Sequence, residues 1–253
     1  MAAPKHAPLS AEDVQTIENV LEDVGTPRHT RDALLKRAAV GVLAASALGE
    51  FAAPAFGMSS GDTVESVVTT AVTAEALAVT YLTGVIEGLG KTAPVKKFLP
   101  VLKAANAAEY DHYKILRSLG AKPLTTKFWA PKAALTPEGV FPTIEAAETV
   151  FVNAYLVGIT VFSKAGKHDL ARYAGEILGV EAEHRALARF AQGKLPNNRA
   201  FESYALKTTG QHVAELEKLG IGFGKRGSKP GEFVNFGTPP ASALTMIEGP
   251  KLA

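Results

Sequence analysis

The sequence contains no cysteine. That absence excludes disulfides, thiolate zinc sites, iron–sulfur clusters and an appended rubredoxin-type centre, so any metal held by this chain must sit among carboxylates and imidazoles. Methionine is nearly as scarce, with only Met1, Met58 and Met246. None is placed to face inward at a dimer interface as an axial ligand, so no haem is expected. Charge of one sign is also lacking: a formal net charge of +2, spread over scattered basic residues, gives no footprint for nucleic acid, which is dropped as a partner. The longest apolar run, residues 38–48, is too short to cross a bilayer, so no transmembrane span is expected.

That run has a context of its own. It follows Arg31, Lys36 and Arg37 and ends before Glu50 and the small residues Ala53-Pro54-Ala55, which is the outline of a signal peptide. The stretch Thr30-Arg31-Asp32-Ala33-Leu34-Leu35-Lys36 resembles a twin-arginine export signal, with Asp32 where the second arginine belongs. Export to the cell envelope is the expectation, against a cytoplasmic amphipathic helix lying on the rest of the protein.

What the sequence does have is length and apolar content, 253 residues at 47% hydrophobic, enough for one substantial core with extensions. Helical periodicity runs over residues 63–89, 95–119, 143–165 and 169–191. Pro94 and Pro142 mark the second and third starts, Gly120 follows the second end, and Asp169 is placed to cap the fourth. The first and third connections are short and join antiparallel neighbours. The middle one, residues 120–142, has 23 residues. A helix of 26 residues is about 39 Å long, and an extended link of that length can travel the whole of it. The expected fold is therefore all-α, a four-helix bundle with one long crossover. A helical extension over residues 1–61 precedes it, a short fifth helix over 199–219 completes a domain of 62–220, and a Gly- and Pro-rich tail, 221–253, reads as irregular. The tail is expected to wrap the bundle or to contact a second subunit of a homo-oligomer.

The chemistry is carried by two Glu-x-x-His motifs, Glu109 with His112 and Glu181 with His184. A spacing of three puts both side chains on one helix face. The second helix has a seam of Phe98, Leu102, Ala105, Glu109, His112, Leu116 and Leu119; the fourth has Leu170, Ala174, Ile177, Glu181, His184, Ala188 and Ala191. Both motifs thus replace apolar residues at positions that face the core. The first and third helices each put a single Glu on their seams, Glu75 and Glu148. Glu145 falls off the seam and reads as a surface or supporting residue. From Glu75 to Glu109 is 34 residues and from Glu148 to Glu181 is 33, so each half of the bundle repeats the other and brings its ligands to one height. Four carboxylates and two imidazoles buried together need compensation, and two divalent cations balance them to zero formal charge.

Residues 63–191, with Glu75, Glu109, His112, Glu148, Glu181 and His184, resemble the ferritin-like superfamily, which includes bacterioferritins and rubrerythrins. The resemblance implies two metal ions, iron first and manganese as the alternative. It also implies that Glu109 and Glu181 bridge them, that Glu75 and Glu148 are terminal, and that His112 and His184 each bind one ion. The leader and Asn198-Arg199-Ala200-Phe201-Glu202 are similar to exported bacterial ferritin-like proteins of the desiccation-related type. The implied activity is oxidation of Fe²⁺ with reduction of O₂ or H₂O₂. Alternatives are a manganese catalase-like dismutase and a stress-related structural or binding protein stabilised by metal without turnover. Iron storage would need a cage, against which the leader and tail argue.

Tyr155 faces the seam one heptad after Glu148, and a core tyrosine with a satisfied hydroxyl is preferred over a role supporting a ligand. Tyr110 and Tyr113 read as packing residues, and the pair His212 and Glu215 as surface. His6, His29 and His168 read as loop or extension residues without a specific role.

Overall fold

The computed structural model describes residues 61–247. The leader, His6, His29, Met1 and Met58 lie outside the described residues.

Helix α1 (Val64–Leu89) begins at a reciprocal cap, in which the Thr63 hydroxyl accepts from the Ser66 amide at 3.1 Å and the Ser66 hydroxyl accepts from the Thr63 amide at 2.9 Å. The second predicted helix is divided into α2 (Ala93–Lys97) and α3 (Leu99–Ser118). The break at Phe98 has a cause in Pro100, which has no amide to continue the hydrogen-bond ladder and whose ring crowds the preceding turn. Helix α4 (Val140–Lys164) starts three residues before the position expected from Pro142, and the proline is accommodated in its first turn. Helix α5 (His168–Ala191) is preceded by Lys167 and has no side-chain cap. Asp169 therefore lies inside the first turn, facing the positive end of the helix dipole, rather than capping it. His168 is the first residue of that helix and is exposed.

The hairpins α1–α3 and α4–α5 pack side by side, α1 against α4 and α3 against α5. The crossover travels along α1: the Leu124 amide donates to Thr73 Oγ1 at 3.0 Å, and the Tyr81 hydroxyl donates to the Ala134 carbonyl at 2.8 Å. Two apolar layers fill the ends of the bundle. One contains Val67, Val68, Val72, Leu116, Tyr155, Phe162, Ala174 and Ile177, the other Leu82, Val85, Leu102, Phe141, Ile144 and Ala188. The polar seam residues form the level between them.

The crossover and tail hold a feature the periodicity did not predict. Strands β1 (Lys127–Pro131), β2 (Gly222–Phe223) and β3 (Gly231–Asn235) form an antiparallel sheet in the order β2-β1-β3. Phe128 faces Phe223 on one side and Val234 on the other. The tail is thus ordered by pairing with the crossover, and a last short helix, α7 (Ala241–Leu244), packs on α3. The sheet covers the outer side of α1 through a cluster of Ala76, Leu77, Phe128, Val213, Leu216 and Phe223. Covered on both sides, α1 is apolar nearly all round. By length and composition α1 and α4 could each cross a membrane, but both belong to this core and carry an inward glutamate. The fifth helix, α6 (Thr209–Lys218), is shorter than the expected 199–219, because residues 199–207 run outside any helix or strand. The Asp62 carboxylate accepts from the Thr209 amide at 2.8 Å and from its hydroxyl at 2.6 Å, tying the start of α6 to the start of α1.

Candidate metal centre

Each of the four long helices contributes to the central level from its predicted seam. Glu75 comes from α1, Glu109 and His112 from α3, Glu148 from α4, and Glu181 and His184 from α5; all six are buried, and Glu75, Glu109 and Glu181 are fully so. The structure therefore brings together the whole predicted set.

The two imidazoles divide the carboxylate oxygens between them. His112 Nδ1 lies 3.5 Å from Glu109 Oε2, 3.4 Å from Glu181 Oε1 and 3.6 Å from Glu75 Oε2. His184 Nδ1 lies 2.8 Å from Glu109 Oε1, 3.3 Å from Glu181 Oε2 and 3.8 Å from Glu148 Oε1. Glu109 and Glu181 thus direct one oxygen to each imidazole, while Glu75 serves only the His112 side and Glu148 only the His184 side. Glu75, Glu109, His112 and Glu181 form one group whose ligand atoms all lie within 4.8 Å of one another, and Glu109, Glu148, Glu181 and His184 form a second. Either group could hold a metal ion.

A test of fit comes from hydrogen bonding. Both oxygens of Glu109 and of Glu181, one oxygen each of Glu75 and Glu148, and Nδ1 of both histidines are buried without a hydrogen-bond partner. Even the 2.8 Å approach of His184 Nδ1 to Glu109 Oε1 lacks hydrogen-bond alignment. Buried polar atoms are rarely left this way, and each costs about 1–3 kcal/mol. Eight of them aimed at a common level fit cations held among oxygen and imidazole donors.

The charge state without metal follows from the same crowding. Burial, then the Glu109 carboxylate, pushes the Glu75 carboxyl up to about 8. Burial, with Glu181 and Glu109 beside it, holds Glu148 well above the usual carboxylate range. Burial and the neighbouring carboxylates also oppose ionisation of Glu109 and Glu181, yet contact with His112 and His184 holds both below the usual value. Burial disfavours the charged rings in turn, but Glu109, Glu181 and Glu75 raise His112 well above its ordinary value, and Glu109 with Glu181 raises His184 to about 10.

The profile of the Ferritin-like domain matches residues 63–194, more than half of the chain. The chain belongs to the ferritin-like family. The four long helices, the crossover and its strand β1 lie within the matched residues, whereas β2, β3 and α6 lie beyond them. No curated protein and no solved structure gives a match.

Around the six residues, the structure corrects or extends the sequence reading. The Tyr155 hydroxyl donates to Glu75 Oε1, so this tyrosine is both a core residue and a support for a site carboxylate. Glu145 accepts from Arg189 at 2.7 Å and Gln192 at 2.9 Å and pairs with Lys194, a supporting position at the bundle surface as expected. Tyr110 and Tyr113 stack on each other, and Tyr113 also packs on Phe236. His212 is not a surface residue. It is buried, with Nε2 2.8 Å from Asn153 Oδ1, while Glu215 points away to Lys218. Sequence reasoning also missed Arg185, buried beside His184 and paired through its two terminal guanidinium nitrogens, Nη1 and Nη2, to Glu202. Its position next to a ligand on α5 was the available signal.

Proposed function

We propose that Glu75, Glu109, His112, Glu148, Glu181 and His184 hold two iron ions and that the protein oxidises Fe²⁺ with O₂ or H₂O₂. Glu109 and Glu181 would serve both ions, with Glu75 and His112 holding one and Glu148 and His184 the other. The observation that carries this reading is the division of the Glu109 and Glu181 oxygens between two imidazoles, with the buried donor atoms on both sides left without partners. An iron pair held there supplies two electrons to an oxidant, the change that one Fe²⁺ alone cannot deliver. The chain's part is positional and electrostatic. Glu109 and Glu181, each with one oxygen toward either imidazole, fix the spacing of the two donor sets, and Tyr155 orients Glu75. The apolar layers above and below keep water from the donors, so their charge acts at full strength.

The test is aerobic addition of Fe²⁺ to the metal-free protein, followed by the rise in ferric absorbance. The parent is expected to oxidise Fe²⁺ faster than buffer, and Glu109→Ala or His184→Ala to bring the rate down to that of buffer. Equal rates in parent and variants would overturn the assignment. A parent that melts higher with metal but consumes neither oxidant would instead be a metal-stabilised structural protein, and elemental analysis of protein from its native host separates iron from manganese.

A further inference from the structure

A partly enclosed cavity of about 50 Å³ lies in the apolar layer adjoining the candidate metal centre, between α1, α3, α4, α5 and α6. Tyr155, the donor to Glu75, forms part of its wall. Leu116 and Ile177, also in the wall, stand one helical turn from His112 and Glu181 on the same seams. A single water needs about 10–15 Å³ of such space, so the cavity takes a molecule of a few heavy atoms and is too small for a drug-sized organic ligand.

The wall's polar groups decide which small molecule. Thr73 donates to the Thr69 carbonyl, Thr209 to Asp62 and Tyr155 to Glu75, so those hydroxyl protons are committed. His212 remains. The Asn153 amide nitrogen donates to the Ser203 carbonyl, which can only accept, and this fixes Asn153 Oδ1 toward His212 Nε2. Nε2 must therefore carry the ring proton, and Nδ1 is a bare acceptor, buried and without a partner. The cavity thus offers the Thr70 hydroxyl and this one bare acceptor in an otherwise largely apolar wall. Water and H₂O₂ each bring two O–H donors and several acceptor sites, at least half of which would be stranded there at a cost of about 1–3 kcal/mol apiece. Dioxygen brings none. Apolar cavities of this kind stay dry and take up apolar gases such as xenon.

We infer that this cavity is a dioxygen-binding site that supplies the metal centre past Tyr155, which makes O₂ rather than H₂O₂ the oxidant served by the fold. The inference rests on the redox reading of the site given above. The test begins with xenon-pressurised crystals of the full chain without metal, in which xenon is expected among Val68, Tyr155, Ala174 and Ile177. It continues with Ala154→Leu and Ala71→Leu, which add volume at the cavity wall without replacing a donor residue. In each, the O₂ concentration for half-maximal Fe²⁺ oxidation is expected to rise about tenfold. Anaerobic oxidation by H₂O₂ is expected to keep the parent rate. A parent that oxidises Fe²⁺ but takes up no xenon overturns the dioxygen site alone, as do variants slowed equally with both oxidants. A parent that takes up xenon but oxidises Fe²⁺ with neither oxidant overturns the redox reading, and the supply role falls with it.

Discussion

Tyr155 joins two environments, since its ring packs in an apolar layer while its hydroxyl donates to Glu75. Burial, then the charges of Glu75 and Glu181, holds that hydroxyl well above its ordinary pKa, so it remains a donor across the working range of pH. Tyr155→Phe removes the donor and leaves Glu75 Oε1 buried and free to turn. Loss of such a supporting bond typically lowers metal affinity about 10–100-fold. We expect a loss of at least about tenfold, measured by competition against a chelator, with little change in the helical content of the metal-free protein. Unchanged affinity would mean that Glu75 is held in place by packing alone. The seam position of Tyr155 was visible in the sequence, but the bond was not, because it joins residues 80 positions apart. His212 teaches the converse. Reading it with Glu215 as a pair at a spacing of three hid the apolar face of α6, on which His212 sits with Val213 and Leu216.

At the scale of elements, the long helices were legible because each repeats its apolar residues every three or four positions and buries them in one core. The apolar spacing of Phe98 agrees with a continuous seam, whereas Pro100 decides the backbone. The sheet left no comparable trace. Strand β2 has two residues, β1 lies inside the crossover, and they pair across about a hundred positions, which periodicity cannot register. Residues 199–207 are held in a similarly non-local way. Arg185 grips Glu202, and Asn153 donates to the Ser203 carbonyl, so the segment is strapped over the α4–α5 hairpin. Arg185 is buried and Glu202 is only partly so. Glu202→Ala leaves the guanidinium without its carboxylate, and we expect a loss of about 1–3 kcal/mol in denaturant unfolding. Cleavage by a protease within residues 196–208 is expected to speed up at the same time. A normal unfolding midpoint with unchanged cleavage would show that the strap is held elsewhere.

For the whole molecule, the two hairpins repeat one design, and the nearly equal intervals between their ligands, 34 and 33 residues, put six buried ionisable groups at one height. Neutrality is available there in two ways. Without metal, Glu75 and Glu148 hold protons, His112 and His184 are cationic, and Glu109 with Glu181 is anionic, which sums to zero. With two divalent ions, all four carboxylates are ionised and both rings are neutral, which also sums to zero. Metal therefore competes with about four protons, and affinity must rise with pH. The metal-free fold responds in the opposite sense. Glu75 is raised from 4.5 to about 8 and His184 from 6.5 to about 10, so in both cases the folded state keeps a proton that the unfolded chain gives up. The stability contributed by those protons is present at low pH and is lost between about pH 4.5 and 10 as the unfolded and then the folded groups deprotonate. The gap between the Tm of the Mn²⁺-loaded protein and that of the chelated protein should accordingly widen from pH 6 to pH 8.5, and a pH-stat titration near pH 7 should record proton release as Mn²⁺ binds. Because both samples share every other titrating group, a gap that stays constant or narrows would count against protons and metal exchanging at this level of the bundle.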